Sequence, residues 1–548
     1  MSRTKAQRLS LPVTFFVTTL FAYAAYSIDP SSPDMQLLQA LCWLVILFGI
    51  WEILRSLPYL LRNWLLRRKA KNPTDSHGSA RWAKDKDLKQ SGLFHTKGVF
   101  LGLSALSGRP LFAEFTHGLT LAMAGSGKTV CFVICAILHW PSSLVVTDPK
   151  GTLTCITKWA REKIFKQKTY VLNPGRRYET LIGKSARYNP LSFIHKKMTE
   201  GRYGDMVALS KGLAYQLLPE PRNSGENTFF RLGSRSLLVF LFLYVLFLSE
   251  EKNFTKVCSL LQNELDLKQA LYEASASDAL KGGLAARAND LLQQTDTADS
   301  RQWQSFRVGA LQIMDDYSKG TDLAEISSES DFSGYDLKRQ KTTLYEICSP
   351  ANKESDGRYF ATANWMMMRE MMDTEVLGEE VLFLLEEALN FPIHTISSDL
   401  TLIREFGIKV WFVLQDLDHY AHIFGDKNLG TMLSQTDCKQ IMDIQSLKTA
   451  EWLSKMLGNS TVKQTNYALG HKWDDPVLQS ASEIARPLLT PDEIRQFGGM
   501  IILYKDLPPI HAFKCGYHEV HPWRKWARPN PLKGTKKFLG KIKVWLRY

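Results

Sequence analysis

The first part of the chain contains two apolar stretches that are separated by a short polar turn. Residues 11–28 are uncharged, and residues 37–51 are almost as long once a few flanking positions are included. An apolar helix needs about 20 residues to cross a bilayer. Lysines and arginines precede the first stretch and follow the second, whereas the turn contains neither. The positive-inside rule therefore predicts a hairpin anchor over residues 1–55, with both ends in the cytoplasm.

Residues 56–76 follow the anchor and combine leucines and aromatic side chains with arginines and lysines. This pattern fits a helix that rests on anionic lipid headgroups, and it fits a solvated linker equally well. The sequence therefore predicts a basic juxtamembrane linker here, with its contact to the membrane left open.

From residue 77 the hydrophobic pattern is that of a soluble α/β domain, in which short β-rich runs alternate with helical periods. A helical segment interrupts this alternation. Its longest apolar run, residues 237–248, is too short to span a bilayer and predicts a buried helix. The predicted segments are an α/β domain in two parts over 77–205 and 331–520, an all-α insertion over 206–330, and a basic tail over 521–548.

AMAGSGKT at residues 122–129 lies between a strand signal and a helix signal. Gly125 and Gly127 allow the backbone to curl, so that its N–H groups face an anion at the positive end of the helix dipole. Lys128 would reach the β- and γ-phosphates, and the Thr129 hydroxyl would bind Mg²⁺. The sequence thus predicts a phosphate-binding loop in a nucleotide-binding domain. Its predicted contact residues are Ala124, Gly125, Ser126, Gly127, Lys128, Thr129 and Val130.

Acidic residues stand at the ends of two other strand signals. Glu386 and Glu387 follow the apolar run VLFLL, and acids at the end of a buried strand are costly unless they bind something. In ATPases with a phosphate loop, the first such acid holds the Mg²⁺ shell and the second polarises the attacking water. A helix start would also favour Glu. Asp148 ends the run SSLVVTD and could face nucleotide or Mg²⁺, or cap the next helix.

Two further side chains are candidates for the chemistry. Gln415 ends the run GIKVWFVLQ, where an amide could contact the γ-phosphate and signal its loss. Arg404 precedes that run and could reach the nucleotide of a neighbouring subunit, or it could be an ordinary salt-bridge partner. The predicted catalytic set is Glu387, Glu386, Lys128, Gln415 and Arg404, with Thr129 and Glu386 as metal ligands and Asp148 beside the nucleotide.

Composition changes this interpretation only slightly. The net charge of +13 suits anionic partners, either nucleic acid or lipid, without choosing between them. The eight cysteines contain no C-x-x-C pair, which is typical of a reduced compartment.

The basic tail, interleaved with aromatic residues, fits a nucleic-acid contact, a membrane-surface helix or a disordered solubilising segment. Ala22 to Ala24 could form a signal-peptide cleavage site, but a domain that binds ATP favours an uncleaved anchor with a cytoplasmic body.

These motifs occur in an order that resembles the TraG/TraD-like coupling ATPases of type IV secretion systems. The matching segments are HGSARWA, AMAGSGKT, VVTDPKG, YNPLSFI, FSGYDLKRQKTTLY, FLLEEALNFP, REFGIKVWFVLQD and RPLLTPDEI. The resemblance extends from the hairpin to about residue 510, which is most of the chain.

The resemblance implies a RecA-like nucleotide-binding domain with an inserted all-α domain, at the cytoplasmic face of the bacterial inner membrane. It implies a hexameric ring that uses ATP and Mg²⁺, and that receives relaxase-bound DNA or effector proteins and passes them to the secretion channel. Some members carry a long C-terminal extension with no counterpart here. Substrate recognition is therefore expected from the all-α segment, the basic tail or partner proteins.

The sequence departs from the family pattern at two positions. Ala122 stands where the first loop glycine is usual, and Glu386 stands where the first acid is usually Asp. These departures keep open a docking scaffold that binds nucleotide but hydrolyses it weakly. A DNA translocase of FtsK or HerA type also stays open, because its ring and phosphate loop would look alike.

Overall fold

The structure is a computed structural model that describes residues 11–71, 76–220, 227–295, 300–376, 378–466, 480–533 and 541–546. It divides into two compact units. The smaller unit comprises Met1–Ala80 and Gly458–Leu488, and the larger comprises Arg81–Leu457 and Leu489–Tyr548.

The strands form where β-branched and aromatic residues are bounded by turn residues. In chain order they are β1 (Val99–Ser104), β2 (Pro110–Ala113), β3 (Gly118–Ala122), β4 (Ser143–Asp148), β5 (Lys168–Leu172), β6 (Thr342–Ile347), β7 (Val381–Glu386), β8 (Ile408–Leu414), β9 (Cys438–Met442), β10 (Asn459–Asn466), β11 (Ser480–Pro487), β12 (Met500–Tyr504), β13 (Ile510–Phe513), β14 (Val520–His521) and β15 (Val544–Trp545).

The helices follow the segments with helical periods. In chain order they are α1 (Leu11–Ser27), α2 (Pro33–Lys71), α3 (Asp85–Gln90), α4 (Ile134–His139), α5 (Thr152–Lys163), α6 (Glu179–Ile182), α7 (Leu191–Thr199), α8 (Tyr203–Leu217), α9 (Asn227–Leu248), α10 (Phe254–Gln262), α11 (Glu264–Ser275), α12 (Gly283–Thr295), α13 (Ser300–Met314), α14 (Asp322–Ile326), α15 (Gly334–Arg339), α16 (Lys353–Met372), α17 (Ile396–Ile403), α18 (Leu417–Phe424), α19 (Asp426–Gln435), α20 (Leu447–Leu457), α21 (Pro491–Arg495) and α22 (Trp523–Trp526).

The larger unit is built on a sheet of 11 described strands, in the order β2-β1-β13-β12-β9-β3-β8-β7-β4-β6-β5. The strands from β9 to β5 run parallel, and those from β2 to β12 extend the sheet with antiparallel pairs. Strands β3, β4, β6 and β7 are buried at every position, as expected for a parallel sheet that is covered on both faces. Because β3, β7 and β8 are parallel, their carboxyl ends share one edge of the sheet.

The insertion between β5 and β6 is helical, and the described residues from α8 to α14 contain no strand. The apolar run predicted as a buried helix lies in α9, where the side chains from Leu237 to Leu246 are all buried. Helix α9 is long and apolar enough to cross a membrane, but most of it is buried inside the protein. The prediction of a core helix is therefore confirmed.

Helices α1 and α2 form the hairpin of the smaller unit. They approach closely where Gly49 faces Thr18, because a methyl group at Gly49 would lie 2.1 Å from the Thr18 hydroxyl. Many large apolar side chains on both helices are exposed, among them Phe16 at 68% and Leu44 at 61%. Pro33–Leu54 is long and apolar enough to cross a membrane, and α1 is a shorter apolar helix. Two exposed apolar helices near the N-terminus fit a membrane anchor.

Three features go beyond the sequence-based expectation. Helix α2 continues unbroken to Lys71, so most of the basic segment that the sequence left open between a helix and a solvated linker is helical. Strands β10 and β11 pair as an antiparallel hairpin that the hydrophobic pattern does not indicate. The described part of the basic tail is folded rather than disordered: β15 pairs in parallel with β14, and Lys543 forms an ion pair of 2.6 Å with Glu519.

Candidate nucleotide-binding site

The phosphate loop joins β3 to a π-helical turn, Thr129–Val133, which continues as α4. Gly125 and Gly127 have φ values of 81° and 88°, in the left-handed region that glycine alone adopts without strain. Ala122 is the last residue of β3, where it is fully buried and pairs with Met442. Its backbone is ordinary extended strand, so replacing the usual glycine by Ala122 costs the loop nothing in conformation.

Two polar side chains of the loop are turned inward. The Lys128 ammonium group donates to the Ala122 carbonyl oxygen at 3.4 Å, and Lys128 is only 8% exposed. The Ser126 hydroxyl is buried and has no hydrogen-bond partner among the described residues. A buried polar group without a partner is costly, so the Ser126 hydroxyl is suited to a ligand that fills the loop, and Lys128 can exchange its single long hydrogen bond for one to that ligand.

Glu386 lies at the end of β7, and its carboxylate meets the first residue of the helix after the loop. The Thr129 hydroxyl donates to Glu386 Oε1 at 2.5 Å. The Glu386 backbone is fixed as well, because the Thr147 hydroxyl on β4 donates to the Glu386 carbonyl oxygen at 2.9 Å. The structure thus brings together the two residues that the sequence assigned to the metal, although they are far apart in the chain.

Glu387 has an unusual backbone conformation for a residue with a side chain. Its φ is 50°, in the left-handed region, directly after the strand that ends in Glu386. The Asn390 amide donates to Glu387 Oε2 at 2.8 Å and thereby orients the carboxylate. Strained residues of this kind are concentrated at functional sites. Asn390 was not predicted from the sequence, although its spacing of three residues from Glu387 was a usable signal.

Asp148 combines the two roles that the sequence left open. Its Oδ2 atom accepts from the backbone N–H and the hydroxyl of Thr154, both at 2.8 Å, so it caps the start of α5. Its Oδ1 atom is buried without a hydrogen-bond partner among the described residues. Asp148 is close enough to Glu386 to raise the pKa of that carboxylate, because the paired strands β4 and β7 end side by side at the same edge of the sheet.

The site fits a divalent cation. The pKa of Glu386 is raised to about 7, chiefly by burial and also by Asp148 and Glu387, against the lowering effects of the Thr129 hydrogen bond and Lys128. A raised pKa in a buried group of acids shows that a further positive charge would stabilise the ionised carboxylate. Carboxylate and hydroxyl oxygens are the ligands that Mg²⁺ prefers, completed by substrate phosphates and water. The described residues contain no group of three or more His, Cys, Asp or Glu side chains that could hold a metal alone.

The two remaining candidates lie on opposite edges of the sheet. Gln415 directly follows β8 and is exposed at the carboxyl edge, the edge of the phosphate loop. Arg404 is exposed in a short turn, Arg404–Phe406, before β8 begins, and so lies at the amino edge. The structure therefore does not bring Arg404 to the phosphate loop of its own chain.

Comparison with known proteins agrees with this geometry. Residues 81–538 match the family model described as "Type IV secretory system Conjugative DNA transfer". The chain is 26% identical over 484 residues to VirD4 of Agrobacterium fabrum (strain C58 / ATCC 33970), covering 82% of this chain and 67% of that protein. It is 24% identical over 499 residues to the conjugal transfer protein TraG of Escherichia coli, covering 80% of this chain and 76% of that protein.

The fold is similar to that of a solved structure, the plasmid coupling protein TrwB in complex with ADP and Mg²⁺. The TM-score is 0.56 at 15% identity, over 80% of this chain and 94% of that chain. This likeness confirms the predicted fold class, a RecA-like α/β domain with a helical insertion. Because the family model covers most of its length, the chain belongs to the family of type IV secretion coupling proteins.

Proposed function

We propose that this coupling protein binds ATP with Mg²⁺ and hydrolyses the ATP to deliver substrate to a type IV secretion channel. The observation that carries the proposal is the Thr129–Glu386 hydrogen bond across the sheet. It joins the phosphate loop to an acidic strand end, next to a second acid that Asn390 orients. A loop that only binds phosphate needs no such pair of acids.

Each residue has a role that follows from its position. Lys128 would turn from the Ala122 carbonyl to the β- and γ-phosphates, and Thr129 with Glu386 would hold Mg²⁺. When bound, Mg²⁺ neutralises the charge that develops on the phosphates. Glu387 accepts the proton of the attacking water, and Gln415 contacts the γ-phosphate from the end of β8. The contact residues of the loop, from Ala124 to Val130, surround the phosphates, and Asp148 orders the water around the metal.

We propose the same organisation of the chain that the sequence indicates. The hairpin anchors the protein in the bacterial inner membrane, and the body lies in the cytoplasm, where ATP is available. The body is a nucleotide-binding domain over 77–205 and 331–520, with the all-α insertion over 206–330. The basic segments are the linker over 56–76 and the tail over 521–548.

The assembly we propose is a homohexameric ring. Arg404 lies at the edge of the sheet remote from its own phosphate loop. The only nucleotide that its guanidinium group could contact is therefore one bound to a neighbouring copy. The remaining partners are components of the secretion channel and the substrate, either a relaxase–DNA complex or effector proteins. Identifying which of these co-purifies with the full chain from membranes would decide the cargo.

The test is ATP turnover and nucleotide binding by the full-length chain in detergent. Lys128→Ala should lower turnover by about 100-fold or more, because it removes a charge aimed at the transition state. Glu387→Gln should lower turnover similarly while leaving the affinity for ATP close to that of the parent. Lys319→Ala, at an exposed position on the helical insertion, is the matched control. A parent that binds ATP but hydrolyses none would overturn the proposal in favour of a docking scaffold.

A further inference from the structure

A segment near the end of the chain packs beside the phosphate loop, and the sequence did not predict this contact. This segment, Lys514–Glu519, follows β13. A methyl group built on Gly516 would lie 3.0 Å from Val130 Cγ1, and Cys135 Sγ lies 3.9 Å from the Cys515 carbonyl oxygen. Val130 directly follows Thr129, so the segment contacts the first turn of the helix that receives the phosphates.

The order of strands defines which end of a nucleotide this segment would meet. Glu386 and Glu387 end β7, which lies on the β8 side of β3, whereas β9 lies on the other side. The terminal phosphate must face the acids, and the base is at the far end of the phosphate chain. The base is therefore directed towards β9. Lys514 is held on that side, because it forms an ion pair with Asp443, the residue after β9.

His518 is the aromatic side chain of this segment that adjoins the loop and is partly exposed. The methyl position at Gly516 that would approach Val130 would also lie 2.5 Å from His518 Cε1. The His518 ring and the Val130 side chain thus flank the same glycine. The ring packs edge-on against the buried Tyr517, at 5.6 Å between centroids and an angle of 89°. One face of a supported imidazole beside the loop is a platform on which a base can stack.

We propose that His518 stacks on the base of the bound nucleotide, with Gly516 and Val130 forming the floor of the base site. This inference rests on the proposed function, because it assumes that the phosphates occupy the loop over 122–129. Burial lowers the pKa of His518, which favours the neutral ring, and a neutral ring loses little by contact with an apolar base face. The Lys514–Asp443 ion pair holds the segment against the end of β9 and is a positioning contact.

The test separates the base from the phosphates by using two probes with Mg²⁺ on the full-length chain in detergent. The first probe is the ATP analogue ADPNP, and the second is inorganic tripolyphosphate, which has no base. His518→Ala should weaken ADPNP binding by about tenfold, the effect typical of one lost base–aromatic stack. It should leave tripolyphosphate binding unchanged, which also shows that the protein is folded. His518→Phe should restore ADPNP affinity, and His422→Ala, on the exposed surface of α18, should resemble the parent.

Three results would overturn the inference while leaving the proposed function intact. In the first, His518→Ala binds ADPNP as the parent does. In the second, it weakens both probes equally, as a residue acting on the phosphate loop would. In the third, His518→Phe is as defective as His518→Ala, which excludes stacking. A parent that binds neither probe would instead overturn the proposed function, and the inference with it.

Discussion

The length of the Glu386 side chain should be required for catalysis, although the family usually has Asp at this position. Glu386 Oε1 lies 2.5 Å from the Thr129 hydroxyl. Glu386→Asp withdraws the carboxylate by about one C–C bond, or roughly 1.5 Å. The strand cannot follow, because β7 is paired on both sides and Thr147 holds the Glu386 carbonyl oxygen. The acceptor would then stand about 4 Å from the hydroxyl, beyond hydrogen-bonding distance.

The magnitude follows from the loss of one charge-assisted hydrogen bond. Such a bond contributes about 1.5–3 kcal/mol. If the bond orients the metal ligands in the transition state, Glu386→Asp should lower kcat/KM for ATP by roughly 10- to 150-fold. Thr129→Ala should cause a loss of similar or greater size, since it removes the donor and a metal ligand together. The double variant should be no worse than the more severe single variant, because both remove the same contact.

The assay is steady-state ATP hydrolysis with Mg²⁺ by the full-length chain in detergent. Glu354→Asp on the exposed start of α16 is the control for the chemical change. Turnover in Glu386→Asp that equals or exceeds the parent would refute the argument. That result would mean that Glu386 is a poorer metal ligand in this site than the Asp that is usual at this position.

Three further predictions concern the loop and its support. Ala122→Gly should not raise nucleotide affinity. It should lower the free energy of unfolding by about 0.5–1 kcal/mol, because a glycine in a strand increases the conformational entropy of the unfolded chain. Arg161→Met should lower it by about 3 kcal/mol, since the guanidinium donates to the Ile137, Trp140 and Ser142 carbonyl oxygens, all buried. Burial lowers the pKa values of His117 and His139 to about 4, so stability should fall from pH 6.5 towards 4.

The direction of the pH effect follows from which state binds protons. The unfolded chain protonates its histidines near pH 6.5, whereas the folded chain resists until about 4, so acid favours unfolding. Urea unfolding at several pH values measures this, and His139→Phe should flatten the curve. Lys163→Met, at an exposed position on α5, is the control for Arg161. The first prediction would be contradicted if Ala122→Gly bound nucleotide more tightly than the parent. The second would be contradicted if Arg161→Met were as stable as its control, and the third if stability did not depend on pH.

Much of the core domain could be predicted from local pattern. Continuous apolar runs identified β3, β4, β7 and β8, and glycines with Lys128 and Thr129 identified the phosphate loop. These features can be predicted from residues that are neighbours in the chain, because a buried parallel strand and a left-handed turn each require a particular local composition. The hairpin β10–β11 escaped prediction, since its strands are polar and lack a strong hydrophobic alternation. The sequence left the tail open among three alternatives, because β15 is only two residues long and its pairing with β14 has no local signal.

The sequence by itself determined the apolar N-terminal hairpin, the phosphate loop, the acidic strand end and the family to which the chain belongs. Only the tertiary structure decided how these parts meet. It placed Glu386 against Thr129 and put Arg404 at the far edge of the sheet. It also made Asp148 a helix cap whose second oxygen is buried without a partner among the described residues. The physical reason is that the order of strands in a sheet is set by packing between distant segments. A contact between residues far apart in the chain therefore produces no pattern in the sequence around either residue.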